Sequence, residues 1–191
     1  MEHFKKIQSK IDQYSHHVEE ALSLPEITIK YGLNSYRYGS SSFLSDLFDP
    51  IDITNETVFY DLGSGYGNII LYGAIKYPEA QFKGIEILEE RNKVCISLIE
   101  KEGIANATAI SGDILIADIS DGNVFYLYNP LFDFQYEALL NKLYQISLKK
   151  NITVIAESRC IFFDEARWLE QYDLKDIDVV RKIKYYRSTK Y

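Results

Sequence analysis

Residues 58–67 constrain the fold of this chain more than any other segment. A short apolar run leads into an acid, Asp61, and glycines then follow at alternate positions: Gly63, Gly65 and Gly67. The run over residues 57–60 predicts a buried parallel strand, and a helical pattern begins at Asn68. The glycines are therefore predicted to form a strand-to-helix turn whose backbone a ligand can approach closely.

The spacing of these glycines excludes two common nucleotide-binding loops. A dinucleotide fingerprint would place its third glycine at position 68, where this chain has Asn68. A triphosphate-binding Walker loop requires a Gly-Lys-Ser/Thr sequence, which is missing from the turn. The remaining pattern, Asp-x-Gly-x-Gly-x-Gly, resembles the first motif of the Rossmann-like methyltransferases that use S-adenosylmethionine (SAM).

Strand and helix patterns alternate from position 57 onward. Strands are predicted over residues 57–61, 81–86, 107–111, 124–128 and 152–156, and helices over residues 68–77, 88–102, 134–148 and 164–171. Two further β-rich runs, 175–180 and 184–188, are too close for a connecting helix and should pair antiparallel. The pattern predicts an α/β fold: a Rossmann-like, mostly parallel seven-strand sheet with helices on both faces and an antiparallel C-terminal hairpin.

The N-terminal segment carries a different pattern. Apolar residues recur at spacings of three and four from Phe4 to Leu22, which predicts an amphipathic helix that ends before Pro25. This helix either packs on the main domain or serves as a substrate lid or a dimer contact.

A tyrosine-rich loop is predicted over residues 27–38, followed by a short serine-capped helix that ends at Asp49-Pro50. We therefore predict a helical cap segment over residues 1–50 and a SAM-dependent methyltransferase domain over residues 51–191.

Four successive predicted strands end in, or are followed by, polar residues: Asp61, Glu86, Asp113 and Asn129. Ligands of open α/β sheets bind beyond the carboxyl ends of the strands. A carboxylate at Glu86 can accept hydrogen bonds from both ribose hydroxyls of a nucleoside. Asp113 can accept from an adenine amino group, with Ile85, Ile87 and Ile114 against the ring. Asp61 either lies near the amino-acid part of SAM or orients the loop.

A narrower resemblance involves a second element. Tyr38-Gly39-Ser40, a short helix and then residues 58–68 are similar to the disruptor-of-telomeric-silencing histone lysine methyltransferases. The resemblance implies a protein lysine substrate. It also implies that the cofactor contacts a set of polar residues in these elements and at the fourth strand end: Tyr38, Ser40, Ser64, Asn68 and Asn129.

The segment Asn129-Pro130-Leu131-Phe132 resembles the Asn-Pro-Pro-Tyr/Phe motif of amino-group methyltransferases, which act on adenine in nucleic acid or on glutamine in proteins. The amide oxygen and the carbonyl before the proline can accept both hydrogens of an amino group, and an aromatic ring can stack on a planar substrate. Asn129, Phe132 and Tyr38 are therefore the catalytic candidates. The alternative interpretation is a proline turn that only ends a strand.

Charge and composition narrow the classes of partner. The formal net charge of −7 favours a basic protein partner over nucleic acid. A basic stretch over residues 175–191 indicates either charged protection of edge strands or a binding patch. Cys95 and Cys160 lie far apart and form no metal-ligand pattern, and the N-terminus lacks a secretory apolar region, so we expect a cytoplasmic protein without a membrane span.

The leading hypothesis is a SAM-dependent methyltransferase that acts on lysine side chains of a protein. Three alternatives remain open at this point: an amino-group methyltransferase acting on RNA or DNA, a small-molecule methyltransferase, and a SAM-binding module without catalysis.

Overall fold

The computed structural model describes residues 2–33, 44–177 and 182–189 of the 191-residue chain. Within them lies one seven-stranded sheet, formed by β1 (Val58–Leu62), β2 (Gln81–Glu86), β3 (Ala107–Ser111), β4 (Val124–Tyr128), β5 (Thr153–Glu157), β6 (Leu169–Asp176) and β7 (Lys182–Ser188). The strand order is β3-β2-β1-β4-β5-β7-β6. The first five strands are parallel, and β7 runs antiparallel to both β5 and β6. The predicted fold class is confirmed.

Helices cover both faces of the sheet. They are α1 (Glu2–Ala21), α2 (Leu24–Tyr31), α3 (Leu44–Leu47), α4 (Asn68–Lys76), α5 (Glu89–Glu102), α6 (Tyr136–Ser147) and α7 (Ile161–Asp164), with a 3-10 turn over Asp133–Gln135. One core joins α1, α4 and α5 to the sheet around Phe59 and Phe82. The second core joins α6 to the opposite face around Tyr60 and Phe125. Among the described helices, none is both long and apolar enough to cross a bilayer.

The first helix is packed on the body of the protein. Phe4, Ile7 and Ile11 of α1 are buried, and the ring of Phe4 meets Tyr72 of α4 edge-on at 5.1 Å. The helix also contacts α5. The apolar face of α1 is therefore buried in the core, as expected for a structural helix.

The loop predicted over residues 27–38 is wrong in its first part, because α2 continues to Tyr31. Pro25 lies in the first turn of α2, where its missing N–H removes no helical hydrogen bond. The proline therefore begins a second helix. Residues 34–43, which include the predicted serine cap, lie outside the described part of the chain.

The helix predicted over residues 164–171 is also wrong. The chain there forms only the short α7 and then enters β6 at Leu169. The strand pairing shifts register between Gln171 and Asp173. This irregularity disrupts the alternation of two that identifies a strand in sequence. The antiparallel hairpin is confirmed, but its first strand begins earlier than the predicted 175–180 run.

The basic C-terminal edge is largely neutralised by local ion pairs. Among its described residues, Lys175 contacts Asp49, Lys182 contacts Asp176, Lys184 contacts Asp164 at 2.8 Å, and Arg187 contacts Glu170 at 2.9 Å. Paired cations have less charge to offer to phosphates. The arrangement favours protection of the edge strand over a nucleic-acid patch.

Candidate functional site

The sheet order brings the predicted polar strand ends to one edge. β3, β2, β1 and β4 are consecutive neighbours and parallel, so Asp113, Glu86, Asp61 and Asn129 follow one another along their carboxyl ends. From β1 the chain adds β2 and then β3 on one side, and it then crosses to place β4 on the other side of β1, so the strand order reverses between β1 and β4. This switch point is where ligands of open α/β sheets bind.

The glycine loop needs its glycines for two reasons. Gly63, Gly65 and Gly67 all have positive φ, at 93°, 55° and 82°, in or near the left-handed region that other residues avoid. A Cβ on Gly63 would lie 2.6 Å from Cβ of Pro130, and one on Gly67 would lie 2.2 Å from Sγ of Cys95. The loop is therefore pressed against the segment after β4 on one side and against α5 on the other.

Glu86 is bound into the glycine loop. It ends β2 with only 5% of its surface exposed. Its Oε2 accepts a hydrogen bond from the Gly65 amide at 2.8 Å, and its Oε1 accepts one from the Leu88 amide at 2.9 Å. Each carboxylate oxygen can accept a further bond. Glu86 can therefore also accept hydrogen bonds from a pair of ribose hydroxyls, which fits the nucleoside part of SAM.

Two further buried acids make the site strongly acidic. Asp61 is 3% exposed, and Glu157, at the end of β5, is fully buried and accepts a hydrogen bond from the Tyr126 hydroxyl at 2.5 Å. Burial and then repulsion by Glu86 and Glu157 raise the pKa of Asp61 well above its usual value. A bound cation, such as the sulfonium or ammonium group of SAM, would favour the ionised form of Asp61 and oppose this rise. Glu157 was not among the predicted site residues, although it directly follows the predicted fifth strand.

The raised pKa of Asp61 predicts a pH-dependent gain in stability for Asp61→Asn. Because the native state holds the carboxyl proton more tightly than the unfolded chain, this proton stabilises the native state below about pH 4. That contribution is lost as pH rises toward the native pKa, and each tenfold difference in proton affinity between the two states corresponds to about 1.4 kcal/mol. The stability of Asp61→Asn relative to wild type should therefore increase with pH. Urea unfolding from pH 4 to 8 measures it, and a constant difference would contradict the assignment.

The loop after β3 is held by a lysine that was not among the predicted site residues. Asp113 Oδ1 accepts a hydrogen bond from the Leu115 amide at 2.8 Å, and Ile114 is buried. Lys142 of α6 donates to the backbone oxygens of Ile114, Leu115 and Ala117 at 2.9, 3.1 and 2.5 Å. The predicted adenine-binding residues therefore lie on a fixed turn. A lysine in an amphipathic helix gives no sequence signal for this role.

Backbone strain is concentrated at the ends of β4 and β5. In the described part of the chain, the non-glycine residues with positive φ are Asn129 at 49°, Ser158 at 62° and Arg159 at 49°. The conformation costs Ser158 and Arg159 roughly 1–2 kcal/mol each and Asn129 less, because asparagine adopts it more readily. Such strain clusters at functional sites. Arg159 Nε donates to Asn129 Oδ1 at 3.2 Å, and its guanidinium lies 3.3 Å from Asp133. Arg159 therefore fixes the amide of the predicted catalytic Asn129.

Aromatic side chains extend this region toward solvent. Phe132 stacks on Phe134 at 5.8 Å between ring centroids and 5° between planes, and Phe134 is 81% exposed. Asn129 is itself exposed. This region, defined by Asn129, Phe132, Phe134 and Arg159, is the candidate acceptor mouth.

The other predicted site residues divide into two groups. Ser64 and Asn68 are buried in the loop and at the start of α4, and Ile87 is half-buried directly after Glu86. The Ser64 hydroxyl lies against Gly84 of β2, where a Cβ would be 2.6 Å away. Tyr38 and Ser40 lie outside the described residues. Within residues 2–33, 44–177 and 182–189, no cluster of His, Cys, Asp and Glu could hold a metal ion.

Known proteins resemble this chain in sequence. The family model of the histone methylation protein DOT1 matches residues 16–107. A protein-lysine N-methyltransferase of Saccharolobus islandicus is 31% identical over 77 residues, which cover 40% of this chain and 48% of that protein. A histone-lysine N-methyltransferase of Candida albicans, specific for H3 lysine-79, is 25% identical over 175 residues, which cover 78% of this chain and 13% of that protein. The chain thus spans about half of the first relative and a small part of the second.

A solved structure shares the fold over most of the chain. The RNA methyltransferase of Salinibacter ruber, in complex with S-adenosyl-L-homocysteine, is 25% identical, has a TM-score of 0.59, and is matched over 80% of this chain and 92% of that one. These findings confirm the resemblance inferred from the Asp61–Gly67 loop. The fold is that of the Rossmann-like methyltransferases, and the sequence is DOT1-like over residues 16–107.

Proposed function

We propose that this protein is a SAM-dependent methyltransferase that modifies lysine side chains of a protein substrate. The observation that carries the cofactor assignment is Glu86, whose buried carboxylate is fixed by the Gly65 amide at the switch point and keeps acceptor capacity for ribose hydroxyls. Asp61 and Glu157 are buried close to one another at the same edge, and a bound cation would favour the ionised form of the Asp61 carboxyl, whose pKa is otherwise raised.

The chain contributes alignment and electrostatics to this reaction. When bound, SAM supplies an activated methyl group, so the protein mainly orients donor and acceptor. Glu86 and the glycine loop would hold the ribose, while the turn after β3 that Lys142 fixes would hold the adenine.

The acceptor amine must reach the methyl group without its proton, and its ordinary pKa is about 10.4. The guanidinium of Arg159 lies beside Asn129 at the acceptor mouth. The part of this positive charge that Asp133 leaves unbalanced lowers the pKa of an incoming ammonium, so the proton passes to solvent more readily. The backbone carbonyl of Asn129 precedes a proline and remains an acceptor that can orient the amine.

The substrate class rests on three observations. The relatives with matching sequence are named protein-lysine and histone-lysine methyltransferases. The net charge of −7 suits a basic protein. The described basic residues of the C-terminal edge are held in local ion pairs.

Methylation of an amino group in nucleic acid is the second candidate. The exposed stacked rings of Phe132 and Phe134 beside Asn129 favour it, because such rings can stack on a base. Transfer of radiolabelled methyl groups from SAM into cell lysate separates the two candidates. Label that protease releases and nuclease does not supports the protein substrate, and the reverse result supports nucleic acid.

Asn129 provides a test of the acceptor mouth. Asn129→Ala should leave SAM affinity within about threefold and lower turnover by about 10-fold or more, because it removes the amide that binds Arg159 at the acceptor mouth and leaves the contact between Glu86 and the glycine loop in place. Asn129→Gly is the matched control for the left-handed backbone, since it removes the same side chain without adding strain. Unchanged turnover in both variants would show that Asn129 is only a turn residue.

A further inference from the structure

The first helix reaches the glycine loop through one carboxylate. Glu19, in the last turn of α1, accepts a hydrogen bond from the Tyr66 hydroxyl at 2.6 Å. Arg91 of α5 binds the same carboxylate with two nitrogens, Nε at 2.8 Å and Nη2 at 2.9 Å. Tyr66 is fully buried and Arg91 is 4% exposed. A two-point ion pair of this kind, between a buried guanidinium and a half-buried carboxylate, has fixed geometry.

Tyr66 is the large side chain of an otherwise small loop. It stands between Gly65 and Gly67, whose backbones have the unusual φ values given above. Glycines have no side chains to hold such conformations. The hydrogen bond from the Tyr66 hydroxyl to Glu19 therefore holds the loop in place. Tyr66 directly follows Gly65, whose amide binds Glu86.

The positive charge of Arg91 links the Glu19–Tyr66 contact to Glu86. Burial raises the pKa of the Glu86 carboxyl, whereas hydrogen bonds from backbone amides and the positive charge of Arg91 oppose that rise. The orientation of Arg91 is tied to Glu19, because the Glu19 carboxylate accepts hydrogen bonds from both Nε and Nη2. Loss of Glu19 would therefore disturb both the loop and the carboxylate at its centre.

We propose that Glu19 and Tyr66 are positioning residues for SAM, with Arg91 holding the Glu19 carboxylate in place. In this arrangement α1 is a fixed support for the cofactor loop and not a lid over the substrate. The inference rests on the proposed binding of SAM at the Asp61–Gly67 loop and assigns a role to residues outside the predicted site.

Tyr66→Phe and Glu19→Gln test it by titration calorimetry with SAM. Each should weaken SAM affinity by about 10-fold, a size typical of coupling between linked sites. The double variant should be no more than about twofold weaker than the weaker single variant, because both changes weaken the same contact between Tyr66 and residue 19. Tyr66→Phe keeps the buried ring, so it tests the hydroxyl even where Glu19→Gln unfolds the protein.

Glu102→Gln is the matched control. It removes a different ion pair of the same helix, between Lys10 and Glu102 at 2.5 Å, at the end of α5 opposite the loop. Its SAM affinity should stay within about twofold of wild type even where its melting temperature falls. In turnover assays, Tyr66→Phe should raise the KM for SAM and leave kcat at saturating SAM nearly unchanged.

Two results would overturn the inference. In the first, the wild-type protein and Tyr66→Phe bind SAM equally well. That result contradicts this inference and leaves the proposed function intact. The other is a Glu102→Gln variant that loses as much SAM affinity as Tyr66→Phe, which would reduce the contact to ordinary helix packing. A wild-type protein that does not bind SAM contradicts the proposed function as well.

Discussion

Glu86→Ala should lose SAM affinity by about 100-fold or more. The change removes the acceptor proposed for two ribose hydroxyls, and hydrogen bonds to a charged group contribute about 1.5–3 kcal/mol each. It also leaves the Gly65 and Leu88 amides without the carboxylate that now accepts their hydrogen bonds. Both the ligand contact and the loop that presents it are therefore lost in one substitution. Titration calorimetry with SAM measures the effect.

Two variants make this result specific. Glu86→Gln keeps the shape and one accepting oxygen, so its affinity should lie between those of wild type and Glu86→Ala. Glu89→Ala removes a half-buried acid three residues later, one that binds Lys30 and not the loop, and should stay within about twofold of wild type. Equal SAM affinity in wild type and Glu86→Ala would remove the basis of the cofactor assignment.

Gly67→Ala should destabilise the protein by about 2–5 kcal/mol. Its φ of 82° lies in the region that costs a side chain roughly 1–2 kcal/mol, and the new methyl group would lie 2.2 Å from Cys95 Sγ. Overpacking of a buried site costs about 1–3 kcal/mol more. Cys95 is fully buried, so it has little room to move away. Urea unfolding measures the loss.

The chain offers a control with the same backbone conformation and no neighbour. Gly103, at the end of α5, has φ of 64° and nothing within 4 Å of an added Cβ. Gly103→Ala should therefore show only the conformational cost of about 1–2 kcal/mol. Cys95→Ala combined with Gly67→Ala should recover part of the loss, because it removes the clashing sulfur. Equal destabilisation in Gly67→Ala and Gly103→Ala would contradict a close contact between the loop and α5.

The parallel part of the sheet was predictable because its signals are local. Buried parallel strands are short apolar runs separated by helical periodicity, and β2, β3 and β4 match their predicted residues. Once the strand ends are known, the position of Asp61, Glu86, Asp113 and Asn129 along one edge follows from topology. This is why the site could be located from the sequence.

The errors occurred where a long-range or irregular feature decides the structure. The β6 strand contains an irregularity at Tyr172, which hides its alternation. Lys142, Glu157 and Arg159 act through partners 25 to 31 positions away in sequence, and Glu19 reaches Tyr66 across 47 positions. Spacing within one element carries no information about such contacts. They become visible only when the fold brings the elements together.

The most direct test of the proposed function identifies the atom that receives the methyl group. Protein labelled with radioactive methyl from SAM by the wild-type enzyme is hydrolysed with acid, and its amino acids are separated. We expect label in methylated lysine when the wild-type enzyme is used. We expect no such label when Glu86→Ala replaces the wild type. Label found only in the nucleic acid of the same reaction, or in an amino acid other than lysine, would contradict the proposed lysine methyltransferase.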